Sequence, residues 1–287
     1  PLPEPEANAE LIGGFAARAA VDGARLLLAP EGCSTNFIDD PTATIREARP
    51  VDGPFGAAVL AASRRYGIAV AAGTFTPASL VHGSESGTPS TTAAGESPVA
   101  AGRVHNTVLI ADRGELRASY RKIHLYDAFS FTESETVVPG DDPAPVLDFD
   151  GVRIGFATCY DLRFPEVFRG LAAEGAHVLA LPSAWVSGPF KEEHFLTLLR
   201  ARAIENTCYA ITADQTGRHT IGRSGGFDPL GLPLLDLGTA EPGYGLIEVK
   251  PGRIDEVRST VPSLANRRLT VARDPGAPLG FGPDSPS

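Results

Sequence analysis

Val152-Arg153-Ile154-Gly155-Phe156-Ala157-Thr158-Cys159-Tyr160-Asp161-Leu162-Arg163-Phe164-Pro165-Glu166 is the stretch on which the fold turns. Its first six residues form a short apolar run, the pattern of a buried strand. Asp150-Gly151 stands just before it and residues 146–149 lie beyond that pair, so the strand is the second arm of a tight hairpin. Pro165 suits the first turn of a helix, which sets a helix start near residue 165. Cys159 therefore lies between a strand end and a helix start. Oriented backbone N–H groups and the positive end of a helix dipole favour a thiolate there. Taken alone, Cys159 reads equally well as a buried structural cysteine.

Working outward, hydrophobic spacing predicts helices over residues 8–23, 55–66 and 191–206. Apolar runs predict strands over 25–29, 68–72, 177–181, 209–213 and 245–249. Asp112-Arg113-Gly114 marks a second hairpin, between 104–111 and 116–121. Strands that alternate with helices, with hairpins interspersed, indicate a mixed α/β layered domain. Nothing repeats and no linker divides the chain, so residues 1–268 are expected to form one domain with a Pro- and Gly-rich tail over 269–287. The Ser-, Thr-, Gly- and Ala-rich residues 83–102 read as a mobile surface loop.

Composition narrows the function. Thirty-five acidic against 25 basic residues leave a net charge of −10 over 287 residues, which argues against nucleic-acid binding. No apolar run approaches the roughly 18 residues of a membrane span, and no signal peptide is visible. The three cysteines form no CxxC pair, so neither a disulfide scaffold nor a thiolate zinc site is expected, and a reducing cytoplasm is.

Two further residues share the promise of Cys159. Lys122 ends a strand in which Tyr120 and Lys122 face one side and Arg121 the other. Glu31 follows Leu26-Leu27-Leu28-Ala29-Pro30 at the C-terminal edge of a strand, where ligands bind in open α/β sheets. Each also has a bland interpretation, as a solvated strand end and a loop carboxylate. Gly222-Arg223-Ser224-Gly225-Gly226 matches a hydrolase nucleophile elbow in form, but no histidine follows Ser224, as that fold requires. No GxxxxGK[ST], GxGxxG or HExxH occurs.

Taken together and in order, these segments resemble the nitrilase superfamily of carbon–nitrogen hydrolases. Leu28-Ala29-Pro30-Glu31 resembles its glutamate motif, Tyr120-Arg121-Lys122-Ile123-His124-Leu125 its lysine motif, and residues 158–166 its cysteine motif. Phe131-Thr132-Glu133-Ser134, Pro139-Gly140, residues 198–206 and Asn266-Arg267-Arg268 add secondary matches. Cys-Tyr-Asp-x-Arg in place of a Cys-Trp-Glu flank, with Gln215-Thr216-Gly217-Arg218-His219, is similar to the amidase-like branches acting on ω-amides and deaminated glutathione.

The resemblance implies a four-layer αββα sandwich and a homodimer or higher oligomer. It implies Cys159 as nucleophile, Glu31 as general base, Lys122 with the Tyr160 N–H as oxyanion donors, and Glu133 as a second, positioning glutamate. The substrate would be a small-molecule amide, hydrolysed through a thioester with no metal and no cofactor. Trp185, Tyr126 and Phe129 are candidate pocket walls. Arg163 either binds a substrate carboxylate or pairs with Asp161 or Glu166, the latter being the favoured expectation. Family members open with a buried strand that is not visible before Pro5, so the sheet is expected to lack one strand or the chain to be truncated. Residues 126–131 are short, and 83–102 long, for the family. N-carbamoyl amine hydrolysis, nitrile hydrolysis, a Cys–His hydrolase and a non-catalytic binding relative are the alternatives.

Overall fold

The computed structural model describes residues 1–78, 102–129, 131–238 and 242–269. The expected loop over 83–102 falls almost wholly outside them, and so does the tail after Leu269. Helix α1 (Pro5–Val21) starts on a proline and buries Ile12, Ala16 and Ala19 along one stripe. Strand β1 (Leu26–Leu28), a single helical turn α2 (Ala43–Arg46) and helix α3 (Pro54–Tyr66) follow. Helix α3 ends on Gly67 at φ 69°, a left-handed position that glycine adopts without steric cost.

Strands β2 (Ala69–Pro77), β3 (Val104–Asp112) and β4 (Glu115–Arg121) come next. Then come the two-residue strands β5 (Asp127–Ala128) and β6 (Phe131–Thr132), followed by β7 (Val146–Phe149) and β8 (Val152–Phe156). Both predicted hairpins form. Their central pairs, Arg113-Gly114 and Asp150-Gly151, all have positive φ, which matches the twist of the flanking strands. The rest is helix α4 (Pro165–Ala173), strand β9 (Val178–Ser183), helix α5 (Lys191–Asn206), strands β10 (Tyr209–Asp214), β11 (Gly225–Phe227) and β12 (Pro233–Asp236), and helix α6 (Pro251–Thr260).

Two main sheets result, ordered β1-β2-β3-β4 and β12-β11-β10-β9-β8-β7. Alternation along β2 and β3 shows how they stack. Val70, Ala72, Leu109 and Ala111 pack with α1 and α3, whereas Ala69, Ala71, Val108 and Ile110 join the core that contains Phe156, Leu179 and Ala210 of the second sheet. Each side of the first sheet is thus buried, one against helices and one against the other sheet. Helices α4 and α5 cover the far side of the second sheet, completing the αββα sandwich.

Two expectations need correcting. Residues 245–249 form no strand. Their exposure alternates as a strand's would, and Gly245 and Ile247 pack against Leu235 and Gly226, but their backbone finds no ladder partner. Strand β2 runs on to Pro77, well past the expected residue 72, because Gly73, Thr74, Phe75 and Thr76 continue the pairing with β3. No strand precedes α1 among the described residues. β1 is an edge of its sheet, with an apolar cavity of about 660 Å³ alongside, lined by Leu26, Leu28, Ile154 and Ile211. No helix among the described residues is long and apolar enough to cross a membrane.

Candidate active site

The parallel strands β8, β9 and β10 end at the same side of the second sheet, and β1 ends opposite them in the first. Ligands gather at such C-terminal edges. Glu31 lies three residues past β1, Lys122 directly after β4, Cys159 past β8 and Ala184-Trp185 past β9. Two glycines permit the close approach. A side chain at Gly73 would collide with the backbone of Glu31 and Gly32, and one at Gly140 with the Arg121 carbonyl. The Gly140 N–H meanwhile donates to the Lys122 carbonyl at 2.9 Å, which fixes the lysine's backbone.

A buried charge cluster occupies the floor. Lys122 Nζ donates to Glu133 Oε2 at 2.8 Å and to Glu31 Oε1 at 3.1 Å, and all three side chains are less than a tenth exposed. Asn106 Nδ2 bridges both carboxylates, at 2.8 Å to Glu31 Oε1 and 3.1 Å to Glu133 Oε1. Glu31 Oε2 accepts the Ala184 N–H, and Glu133 Oε2 accepts the Tyr126 N–H. Burial alone would lower the Lys122 pKa, but the charges of Glu133 and Glu31 outweigh it and raise the value well above the ordinary one. Lys122 is therefore a permanent cation.

Cys159 is buried against this cluster at φ 43°, a left-handed conformation for a non-glycine residue. Such strain collects where a side chain must be aimed. Asp161 holds the elbow. Its Oδ2 accepts the Thr158 N–H at 2.9 Å and the Tyr120 hydroxyl at 2.8 Å, and its Oδ1 accepts from His124 Nδ1 at 2.8 Å. Burial, and next the charge of Glu31, push the Cys159 pKa well above normal, with Lys122 opposing them. The resting group is a thiol.

Glu31, Lys122, Glu133, Cys159, Tyr126, Tyr160 and Trp185 line one narrow cavity of about 40 Å³. Arg163 lies behind its wall, with Cζ 5.0 Å from the Trp185 ring centroid. The expected pairing of Arg163 with Asp161 or Glu166 is not made. Asp161 is committed to Thr158, Tyr120 and His124, and Arg163 Nε and Nη2 are buried without a partner among the described residues. Phe129 is 64% exposed and stands at the rim. Among the described hydrogen bonds His105 pairs with the Val138 carbonyl, His124 with Asp161 and His177 with the Arg153 N–H, and none joins a histidine to Cys159.

Sequence reasoning missed Asn106 and Lys191. Asn106 carried a weak signal, a polar amide in the strand that continues into the apolar run 108–111. Lys191, at the first turn of α5, carried none, because a lysine there reads as solvated, yet it lines the cavity.

Residues 1–259 match the family described as carbon-nitrogen hydrolase. The chain is 36% identical over 264 residues to the deaminated glutathione amidase of Escherichia coli O157:H7, covering 92% of each protein. It superposes on a mutant of the Nesterenkonia sp. AN1 amidase whose active-site cysteine carries acrylamide from Michael addition. The TM-score is 0.71 at 28% identity, over 91% of this chain and 94% of that one. A CN-hydrolase superfamily protein of Xanthomonas campestris, with an arsenic adduct in its active site, gives a TM-score of 0.76 at 25% identity, covering 94% of both.

Proposed function

The chain belongs to the carbon–nitrogen hydrolase family, and from that premise we propose that it hydrolyses a small-molecule amide through a thioester on Cys159. The observation that carries the proposal is the meeting, in one cavity, of a strained, buried thiol with a lysine held between two glutamates. Glu31 takes the thiol proton as Sγ attacks the amide carbonyl carbon. The carbonyl electrons move onto oxygen, where Lys122 Nζ and the Tyr160 N–H meet the new charge. The carbonyl re-forms, the C–N bond breaks and Glu31 returns its proton to the leaving nitrogen, releasing ammonia or an amine.

Water enters next. Glu31 takes one of its protons, the hydroxyl adds to the thioester, and collapse expels the sulfur, which recovers the proton from Glu31. Glu133 positions Lys122 and the substrate, while Tyr126, Tyr160 and Trp185 wall the pocket and Arg163 supports it. Residues 1–268 act as the hydrolase domain, in a cytoplasmic homodimer. Light scattering on the purified chain tests the dimer.

Amides are favoured over nitriles because a neutral amide supplies a leaving nitrogen that Glu31 can protonate. A nitrile would instead give a thioimidate that needs two hydrations. The E. coli relative suggests deaminated glutathione as the first substrate to try, beside α-ketoglutaramate, propionamide, an N-carbamoyl amine and propionitrile. Ammonia from an amide, with the acyl group trapped on Cys159 by mass spectrometry, is the expected result. Faster turnover of the nitrile or the carbamoyl compound than of every amide would overturn the assignment.

A further inference from the structure

Two buried lysines line the cavity, and only one is neutralised. Lys122 has two carboxylates. Lys191 is 4% exposed, and among the described residues no carboxylate lies within ion-pair distance of its ammonium. Its Nζ donates to the Tyr126 hydroxyl at 2.5 Å and stands 3.8 Å above the centroid of the Phe129 ring. The Tyr126 and Trp185 rings flank it at 4.7 Å and 5.9 Å. Aromatic faces and one neutral hydroxyl compensate an ammonium only in part.

A second cation makes matters worse. Arg163 stands over the same Trp185 ring, and among the described residues its Nε and Nη2 are buried without partners. Burial, and next the charge of Arg163, push the Lys191 pKa down to about 8. A buried, unpaired charge is costly to a fold, and an opposite charge brought to it by a ligand would offset that cost. The glutamates on the cavity floor are already bonded to Lys122 and Asn106, and they would repel a second anion.

We propose that Lys191 is the specificity-determining residue of this site, its ammonium receiving, with the Arg163 guanidinium beside it, an anionic group carried by the amide substrate at the end remote from the scissile bond. The substrate class is then an amide with a carboxylate tail, the two joined by a short chain that lies against Tyr126 and Trp185. The proposal rests on the amidase reading above, and its test separates the two.

The test compares glutaramate with the methyl ester of the same compound, which keeps the amide and cancels the charge. The native enzyme is expected to favour glutaramate in kcat/KM. Lys191→Met should reduce the ratio of the two values by about tenfold or more, mainly through KM for the anion, and Lys191→Arg should restore part of it. An independent readout needs no turnover. Butyrate, which offers one carboxylate and no second charge to the floor, should raise the Tm of the native protein and leave that of Lys191→Met unmoved, since only a bound anion stabilises the fold. Release of ammonia from neither these two nor any other amide of the panel would overturn the amidase reading itself, and release from those others but from neither of these would sink the role of Lys191. Turnover of both with no preference for the anion, or an unchanged preference in Lys191→Met, would leave that reading standing and sink the role of Lys191.

Discussion

Glu31 affects Cys159 in two opposite ways, and one substitution separates them. Its charge helps to hold the thiol protonated, and in the proposed mechanism it is also the base that removes the proton. Glu31→Gln should therefore lower the pH midpoint for alkylation of Cys159 by a neutral reagent while reducing amide turnover by at least about a hundredfold. A midpoint that rises or stays put would show that the two side chains do not sense each other. Lys122→Met presents the opposite case. It leaves two buried carboxylates facing each other through Asn106, and breaking a buried ion pair in this way costs about 3–5 kcal/mol. Both stability in urea and turnover should fall, whereas Cys159→Ala should abolish turnover and leave the urea midpoint nearly unchanged. Lys191→Met is expected to stabilise the free enzyme at pH 7, because it removes a buried charge that no carboxylate among the described residues balances.

At the scale of elements, the loop after β8 and the loop after β9 are each braced by one aspartate. Tyr120→Phe removes a hydroxyl that reaches from β4 to Asp161, and losing a hydrogen bond to a charged group costs about 1.5–3 kcal/mol. Urea unfolding measures that loss, and turnover should fall with it as the Cys159 elbow loosens. Asp214, at the end of β10, accepts the Trp185 N–H and the Arg223 N–H, and burial raises its pKa from 3.8 to about 7. A group raised in the folded state contributes stability that is fully present below 3.8 and is lost as pH climbs through about 7. The Tm of the native protein minus that of Asp214→Asn should therefore fall between pH 4 and pH 7.5, and a constant difference would refute the shift. These braces also mark what the sequence could reveal. The strand, elbow and helix around Cys159 were legible because a Gly turn, an apolar run and a proline signal them locally. The family motifs carried Glu31, Lys122 and Glu133. Asp161 was misjudged as a partner for Arg163 because its true partners, Tyr120 and His124, lie 41 and 37 residues away along the chain. Residues 245–249 had a strand's alternation, but pairing depends on a neighbouring backbone that no local pattern reveals.

Over the whole molecule, a net charge of −10 surrounds a site whose own charges are sorted into two clusters. Glu31, Glu133 and Lys122 leave one excess formal negative charge on the floor, and Lys191 with Arg163 carry two positive charges against the Trp185 ring. An amide enters neutral at its reacting end, so the floor admits it. Hydrolysis then leaves a carboxylic acid on that spot, and once it has given up its proton to solvent, like charges 4 Å apart repel by about 4 kcal/mol at the effective dielectric of a partly buried site. The acid is thus least welcome where it is made. Turnover discharges its own product: ionisation of the acid switches on the force that clears the chamber. The free acid should therefore inhibit only at concentrations well above the KM of its amide, and a product that inhibits as tightly as the substrate binds would show that the floor does not expel it.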